Sequence, residues 1–434
     1  MRRSFRLLLV IVVLFAVWSA WDYLEARRVE RAMNVLKARG LPVAAPVPAA
    51  GGTDPSKDAG RLYIAAAELV RGWPLDQNLV TVIRYNRDQP LAVEHVANAR
   101  AALSERALAF DLVSRADAAP VRGSGQPDGS SLAYRLTPLF SLLSFRTCAL
   151  ARTGQADAAA SALVEELGLL RIFEQIERDP AGRSSPYPLK ASLLTSAARD
   201  LEVVLSFSRP DGPTLAGLQE AFAIDVSHDL EHMLSWGVQM LSDVTAIVSH
   251  DSRRGSRDRA PSLPPLVDSV LRPLFRHDMV RSLTLLNEIA DTAHESAISR
   301  VQHLEILNSD YGRGAFWRTT PLIVQFSLNG VRRIAQAEAE IRSAAVALAI
   351  ERYRSATGKT PASLSDLAPA YIEAVPLDPF GDRPLRYVVD LAGYSVYSVG
   401  ENGKDDGGVF KPRWDGPWAP IQQPPDIGLR IAIH

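Results

Sequence analysis

The stretch AYIEAVPLDPFGDRPLRYVVD (Ala370–Asp390), followed by YSVYSVGENGKDDGG (Tyr394–Gly408), decides the fold of the C-terminal part of this chain. Within these stretches, residues 385–389 and 394–398 show the alternating pattern of side chains that is typical of β-strands, and a turn containing glycine joins them. The segment Ile427–Ile433 alternates in the same way. The sequence therefore predicts a small antiparallel sheet of about three or four strands.

A long helix precedes this sheet, at roughly Leu328–Thr357. Its apolar residues fall on one stripe, and it ends at Gly358, where a glycine commonly caps a helix. A short helix is predicted next. A threonine cap and a proline at the first helical position mark its start, and it extends through Leu367. A Pro-rich loop separates the last strand from the others. These elements predict an α+β domain over 328–434, in which the long helix packs on the sheet.

The order of these motifs resembles the C-terminal domain of the major type II secretion pseudopilin, the G type. The long helix is followed by Asp378–Gly381 (DPFG), by a tyrosine-bearing strand that ends in Tyr-Ser-Val-Gly, and by an Asn-Gly-Lys-Asp-Asp-Gly-Gly loop. The resemblance covers about 335–434. The chain also looks like a group of uncharacterised bacterial membrane-anchored proteins with a helical body before such a domain. The resemblance implies a pseudopilin-like fold here, and a shared fold does not by itself imply a shared function.

In that family, the loop after the Tyr-Ser strand binds a calcium ion that holds the C-terminal segment against the sheet. Carried over to this chain, the resemblance implies calcium ligands at Asn402, Asp405, Asp406 and Asp426. Ca²⁺ takes about six to eight oxygen ligands and accepts irregular loops, so these residue types suit it. Asn402 stands where the family usually has aspartate, and the Pro-rich segment 412–425 replaces a shorter loop. The alternative interpretation is that these are the acidic residues of a solvated turn.

The N-terminus departs from the pseudopilin pattern. A pseudopilin begins with a short leader, a glycine–aromatic processing site and a glutamate a few residues into its hydrophobic helix, and none of these lies near Met1. A long helical body also precedes the pseudopilin-like domain, where a pseudopilin has a membrane stalk. We therefore expect neither processing by a prepilin peptidase nor assembly into a pseudopilus filament.

A membrane anchor is predicted at the N-terminus, because three arginines in the first six residues precede the uncharged apolar run Leu7–Trp21. The run is shorter than the ~20 residues that span a bilayer, but Phe5 and Tyr23 extend it. We expect an uncleaved transmembrane helix, with the cytoplasmic tip and the anchor at 1–24; a cleaved signal peptide is the alternative. The arginines indicate a cytoplasmic N-terminus. The chain is thus expected to be a single-pass protein of the bacterial inner membrane, with its body in the periplasm or otherwise outside the cytoplasm.

Beyond the anchor, the sequence predicts a helical stalk and a Pro/Ala/Gly linker over 25–57, then a helical domain over 58–327. Gly-, Pro- and Ser-rich breakers divide the helical sequence from Asp58 to about Ala356 into about seven to nine helices. One pair, Leu142–Thr153 and Leu163–Ile176, looks like a tetratricopeptide hairpin. A solenoid needs about three stacked repeats, and no second copy recurs at a fixed period. The predicted fold is therefore mainly α, an irregular multi-helix bundle between the anchor and the α+β domain.

The composition is that of an ordinary globular protein. A chain of 434 residues predicts about two or three folded units, and 47% hydrophobic and 22% charged residues are typical of soluble domains. A net charge of −1 gives no field that attracts nucleic acid, so a nucleic-acid partner is excluded. The single cysteine, Cys148, rules out a disulfide within the chain, and its apolar helical surroundings predict that it is buried.

A second candidate site lies in the helical domain. His228 and His232 are four residues apart. This spacing places two imidazoles on one helix face and is the spacing with which a helix chelates zinc. Glu231 lies between them, but the motif differs from His-Glu-x-x-His, because this glutamate does not occupy the position of the general base. The alternative interpretation is a set of salt bridges on a helix surface.

These observations predict a non-enzymatic, membrane-anchored protein that acts outside the cytoplasm in interaction or envelope assembly, with an envelope protein as its partner. Calcium is the one predicted cofactor. Two alternatives stay open. One is an accessory component of a type II secretion system, and the other is a metal-dependent hydrolase that uses the His228 and His232 face.

Overall fold

The computed structural model describes most of the chain. In the described residues the protein is mainly helical, with one N-terminal apolar helix and a three-stranded antiparallel sheet near the C-terminus, and this part of the predicted fold class is confirmed. The predicted Pro/Ala/Gly linker lies outside the described residues. Those described are 2–39, 58–71, 75–86, 91–119, 129–178, 187–226, 229–230, 233–234, 237–238, 241, 265–312, 319–381, 383–410 and 426–433.

Twelve α-helices and three strands lie in this part of the chain. The helices are α1 Arg2–Ala38, α2 Ala59–Arg71, α3 Gln77–Arg84, α4 Val93–Ser104, α5 Ala107–Asp117, α6 Gly129–Arg152, α7 Ala156–Arg178, α8 Tyr187–Phe207, α9 Gly212–Ala221, α10 Pro265–Asp291, α11 Ala297–Gly312 and α12 Thr319–Thr357. The strands are β1 Arg386–Asp390, β2 Gly393–Ser398 and β3 Ile427–Ala432.

The chain divides into two compact units. The first contains Met1–Pro46, Asp229–Glu295 and Ser299–Val331, and the second contains Val47–His228, Ser296–Ile298 and Arg332–His434. In the first unit, α1 and α10 lie side by side and run in the same direction. Their direction follows from two contacts: Trp18 Nε1 donates to the Val270 carbonyl at 3.2 Å, and Arg39 pairs with Asp291 at 2.6 Å further along both helices.

The second unit has one apolar core that joins its helices to the sheet. Helices α6 and α7 form the predicted hairpin, although both begin earlier than the sequence indicates. Gly154 has a φ of 78° in the turn between them, a conformation that glycine adopts without steric cost. On the α12 side of the sheet, the Tyr394 hydroxyl donates to the Ala347 carbonyl at 3.3 Å. The core members contributed by α12 and the sheet include Ala344, Leu348, Tyr394, Val396, Leu429 and Ile431.

The sheet is antiparallel throughout, in the order β1-β2-β3. Val388 of β1 faces Ser395 of β2, and Ser395 in turn faces Arg430 of β3. A two-residue loop joins β1 to β2, because Asp390 pairs with Gly393. The sheet has three strands in the described residues, and its third strand lies where the alternation of apolar residues predicts it.

Helix α12 begins at Thr319, before the predicted start at Leu328, and passes through Gly330 without a break. A Cβ atom at Gly330 would lie 2.3 Å from Met233 Sδ, so this glycine permits close packing and does not end the helix. The predicted short helix is a single 3₁₀ turn, Leu364–Leu367, held by a capping box between Ser363 and Asp366.

The predicted helical domain holds ten helices, α2–α11, in its described residues, more than the sequence indicates. Four of them are short, because α3, α4, α5 and α9 have 8, 12, 11 and 10 residues. The break between α4 and α5 falls at Glu105 and Arg106, where no glycine or proline marks a helix end.

A buried cluster of polar side chains joins four helices of the second unit. Asp200 of α8 accepts hydrogen bonds from the Ser144 hydroxyl and, at 3.1 Å, from the Cys148 thiol, both on α6. Arg84 of α3 forms a buried ion pair with Asp200 at 3.3 Å. Glu166 of α7 is fully buried beside them, and Cys148 is buried as predicted. Because each helix contributes a polar group to the cluster, the cluster specifies how the four helices pack.

Burial raises the pKa of Glu166 well above its usual value; the Asp200 carboxylate raises it further, and Arg84 opposes both effects. Glu166 therefore keeps its proton at pH values where an exposed glutamate is ionised. The unfolded chain loses this proton near the ordinary value of 4.5, whereas the folded chain does not. Protonated Glu166 therefore contributes to the free energy of unfolding in full below about pH 4.5, and this contribution is lost as the pH rises towards the pKa of Glu166 in the folded protein.

We expect Glu166→Gln to remove this pH dependence, because glutamine is neutral and nearly isosteric with the protonated acid. Relative to wild type, the variant should gain free energy of unfolding as the pH rises above about 5, at up to ~1.4 kcal/mol per pH unit. Urea unfolding of the full chain in detergent, followed by circular dichroism, measures this difference. The matched control is Glu165→Gln, next along α7, whose carboxylate pairs with Arg146. A difference between Glu166→Gln and wild type that does not change with pH would contradict the assignment.

Candidate functional site

Two buried aspartates hold the loops at one end of the sheet. Asp378, in the Asp-Pro-Phe-Gly turn, accepts hydrogen bonds from the Ser398 hydroxyl at 2.5 Å and from the backbone N–H of Phe380 and Val399, each at 2.9 Å. It thereby joins this turn to the end of β2. Asp378 is not among the predicted site residues; an Asp-Pro turn followed by a Tyr-Ser strand end is the sequence signal that marks it.

Asp426, at the start of β3, is the second of these aspartates and is 1% exposed. Its carboxylate accepts three backbone N–H groups, from Asp406 at 3.3 Å, Gly408 at 2.8 Å and Val409 at 3.2 Å. Burial raises the pKa of Asp426, the three N–H groups oppose this shift, and the charge of Asp406 adds to it. Asp426 therefore fixes the acidic loop, residues 400–410, to the residue directly before the last strand.

The other predicted calcium ligands lie in the acidic loop. Asn402 Nδ2 donates to Asp406 Oδ2 at 2.8 Å, so these two side chains bind each other. Asp405 accepts the Tyr397 hydroxyl at 2.9 Å and pairs with Arg386 of β1 at 3.3 Å. The structure thus brings the four predicted residues into one region, and Asp405 is directed towards the sheet.

The donor chemistry of this loop suits a hard cation, since it offers only oxygen ligands. The charge of Asp406 raises the pKa of Asp426, which means that the two carboxylates repel each other. A divalent cation between them would relieve this repulsion. Within the described ranges, however, no group of three or more His, Cys, Asp or Glu side chains is arranged to hold a metal ion. A cation here would therefore depend on backbone carbonyls and water for most of its ligands.

The zinc hypothesis cannot be placed in the same way. His228, His232 and the intervening Glu231 lie outside the described residues. Their neighbours Leu230 and Met233 are buried, at 3% and 1% exposure.

Helix α1 carries the chain's candidate membrane span. The segment Leu8–Ala38 is long and apolar enough to cross a bilayer, with a mean hydropathy of 1.8 in its most apolar window. Its large apolar side chains from Leu8 to Phe15, and Val17, are between 52% and 67% exposed. An exposed apolar face of this length is unusual for a protein surrounded by water.

A set of polar contacts, which we call the anchor clasp, follows the apolar run of α1. Asp22 pairs with Arg276 of α10 at 2.7 Å, and Arg276 also donates to the Asp22 carbonyl at 3.0 Å. Glu25 is 1% exposed and contacts Arg28 at 3.0 Å and His277 at 3.2 Å. The partners in the clasp are about 250 residues apart, so no local pattern predicts it; two acidic residues directly after an apolar run are the available signal.

We expect Asp426→Ala to destabilise the sheet, because three backbone N–H groups lose their shared acceptor. The expected loss is about 2 kcal/mol of unfolding free energy, whereas Asp406→Ala, which removes one exposed hydrogen bond in the same loop, should cost about 0.5 kcal/mol. Urea unfolding of the full chain, with hydrogen exchange of the β3 amides, measures both. A chelator in every sample removes any contribution from calcium. Equal losses in the two variants would contradict the role given to Asp426.

Comparison with known proteins adds no relative to this picture: no protein-family model matches the chain, and neither the curated proteins nor the solved structures contain a match. The functional argument for this chain therefore depends on its own residues and contacts.

Proposed function

We propose that this chain is a single-pass protein of the bacterial inner membrane, with a cytoplasmic N-terminus and a non-enzymatic body outside the cytoplasm. In this proposal the body acts in interaction or envelope assembly. The observation that carries the proposal is the change along α1 from exposed apolar side chains, Leu8–Val17, to the paired charges of the anchor clasp.

The exposed apolar run of α1 has a favourable environment in lipid. Each side chain transferred from water to hydrocarbon gains about 25 cal/mol per Å² of apolar surface. The run Leu7–Trp21 rises about 22 Å as a helix, less than the ~30 Å of a bilayer core. Trp18 and Trp21 at its end are suited to the headgroup region. The apolar run can therefore span the membrane if the bilayer thins locally, or if the flanking arginine side chains reach up to the headgroups.

The anchor clasp marks where the membrane ends in this proposal. Charged side chains are costly in hydrocarbon and are retained where they pair. Asp22 and Glu25 both pair with residues of α10, so the body begins within about one helical turn of Trp21. A body held this close to the lipid is confined to the membrane surface.

The assembly role is supported by the C-terminal module, β1–β3 with the second-unit part of α12. The proposed likeness to a pseudopilin domain is based on the long helix, the Asp-Pro-Phe-Gly turn and the acidic loop. In such a module, the carboxylates of the two buried aspartates, Asp378 and Asp426, hold the loops by accepting backbone N–H groups, which is a structural role. A rigid sheet with fixed loops is suited to the binding of another protein.

Calcium binding by the acidic loop belongs to the same proposal. Melting the full chain in detergent, with millimolar calcium or with chelator, is the test. Calcium present at about 100 times its dissociation constant would add about 2.7 kcal/mol to the stability, so the melting temperature should rise. The rise should disappear in an Asp405→Ala, Asp406→Ala double variant, and magnesium should not replace calcium. Identical melting of wild type with calcium and with chelator would contradict calcium binding.

The anchor is tested in bacterial cells with a reporter enzyme fused to the C-terminus, active only outside the cytoplasm. We expect the wild-type chain to stay in the inner membrane after a carbonate wash and its reporter to be active. Changing Val12 and Val13 to arginine should release it, because each arginine costs about 2.5–3.5 kcal/mol at the centre of a membrane helix. The matched control is Val35→Arg, an exposed valine of α1 beyond the clasp, which should stay bound. A wild-type chain that is washed off, or a reporter that is inactive, would contradict the proposal.

A further inference from the structure

The two edges of the sheet differ. The outer edge of β3 is covered, since the Ala432 N–H donates to Ser206 Oγ of α8 at 3.1 Å. Just before β1 the outer side is occupied, since the Leu385 N–H donates to the Pro376 carbonyl at 3.1 Å and Leu377 pairs with Pro384. In the part of the chain that the structure describes, nothing pairs with the outer edge of β1 itself, Arg386–Asp390. An open edge presents unpaired N–H and C=O groups that bind another strand.

The hydrogen bonds of the sheet determine which groups of β1 face outwards. The Ile433 N–H donates to the Ala392 carbonyl at 2.9 Å, which fixes the alternation of bonds between β2 and β3. By the same alternation, Val388 directs its N–H and C=O towards β2. Tyr387 and Val389 therefore direct theirs towards the outer edge, and these four backbone groups have no pairing strand among the residues that the structure describes.

The side chains of β1 do not protect this edge. Val388 and Val389 are 42% and 50% exposed, and Leu391 at the hairpin tip is fully exposed. The strand contains no proline, no lysine and no bulge, which are the usual devices that block pairing at an edge. Its two charges, Arg386 and Asp390, lie at opposite ends and have opposite signs.

We propose that β1 pairs antiparallel with β1 of a second copy of this chain, about a two-fold axis through Val388. In this register Tyr387 faces the partner's Val389, and their outward groups exchange hydrogen bonds, four in total. Arg386 faces the partner's Asp390, twice by symmetry. A shift by one residue would place outward groups opposite inward ones and lose both the hydrogen bonds and the charge pairs.

The existing ion pairs of the sheet extend into this contact. Arg386 already pairs with Asp405 at 3.3 Å, and Asp390 pairs with Arg430 at 2.7 Å. Joining the two strands places charges of alternating sign in a row, from Asp405 through Arg386 to the partner's Asp390 and the partner's Arg430. The contact is thus self-complementary in charge, as a two-fold interface requires.

The paired strands form a small contact, so its affinity in free solution is low. Confinement of both copies to one membrane raises their effective concentration. The inference names a second copy as a partner in the proposed assembly role, and it rests on that role for this confinement. Membrane retention, measured on the same samples, separates failure of the anchor from failure of the pairing.

Disulfide formation at the two-fold axis tests the register. In the proposed pair, Val388 and its counterpart are directly opposite, with Cα atoms about 4.5 Å apart, within the range that a disulfide spans. We expect full-length Val388→Cys in lipid vesicles, treated with copper–phenanthroline as the oxidant, to form a covalent dimer. The matched control is Val389→Cys, which is equally exposed but whose counterparts lie more than ~7 Å apart. Wild type should stay monomeric, because its one cysteine, Cys148, is buried.

A second change tests the backbone pairing. Val389→Pro, made in the Val388→Cys chain, removes an outward N–H but no hydrogen bond to β2, so the edge strand tolerates it. We expect at least a fivefold loss of covalent dimer, with Val389→Thr in the same chain as the control that keeps it. The pairing is overturned if Val388→Cys gives no dimer, if Val389→Cys gives as much, or if the proline variant loses none.

Discussion

The structure of the second unit depends on the burial of one helical segment, Ala344–Ile350 of α12. Its side chains are apolar, and all but Ala345 are buried. A helix that is apolar on every side is stable in water only when it is surrounded. Packing against the sheet on one side and against helices on the other meets this requirement, which is why the Tyr394 hydroxyl reaches the carbonyl of Ala347 and the core is continuous.

The buried carboxyl groups around this core are stabilised in two different ways. Asp378 and Asp426 accept two and three backbone N–H groups, so their carboxylate oxygens have hydrogen-bond partners within the protein. Glu166 receives a single hydroxyl, from Thr147, and lies beside Asp200, so burial and a like charge favour its neutral form. The difference follows from position. The aspartates lie in turns, where backbone N–H groups are unpaired, whereas in a helix those groups are already bonded within the helix.

What the sequence predicts correctly here is mostly local. The strands follow from alternation, and three of the four predicted calcium ligands lie close together because they are within five positions of the acidic loop. The start of α12 at Thr319, before the predicted Leu328, is missed, and no local pattern indicates that Gly330 packs closely against Met233. The Arg84–Asp200 pair joins residues 116 positions apart, and no periodicity in either helix indicates such a partner. The fold class is therefore predictable, and the buried polar contacts are not.

The surface of the C-terminal module follows from the same distribution of hydrogen bonds. Its turn and acidic loop have their backbone N–H groups bound by Asp378 and Asp426, and its β3 edge is bound by α8, so these parts offer few free donors. Among the described residues, the outward backbone groups of Tyr387 and Val389 in β1 have no pairing strand, and β1 has valines at its centre and opposite charges at its ends. A sheet held rigidly at one edge keeps the other edge in a fixed conformation. Such an edge loses little conformational entropy when it binds, which is what a small contact between membrane-confined copies requires.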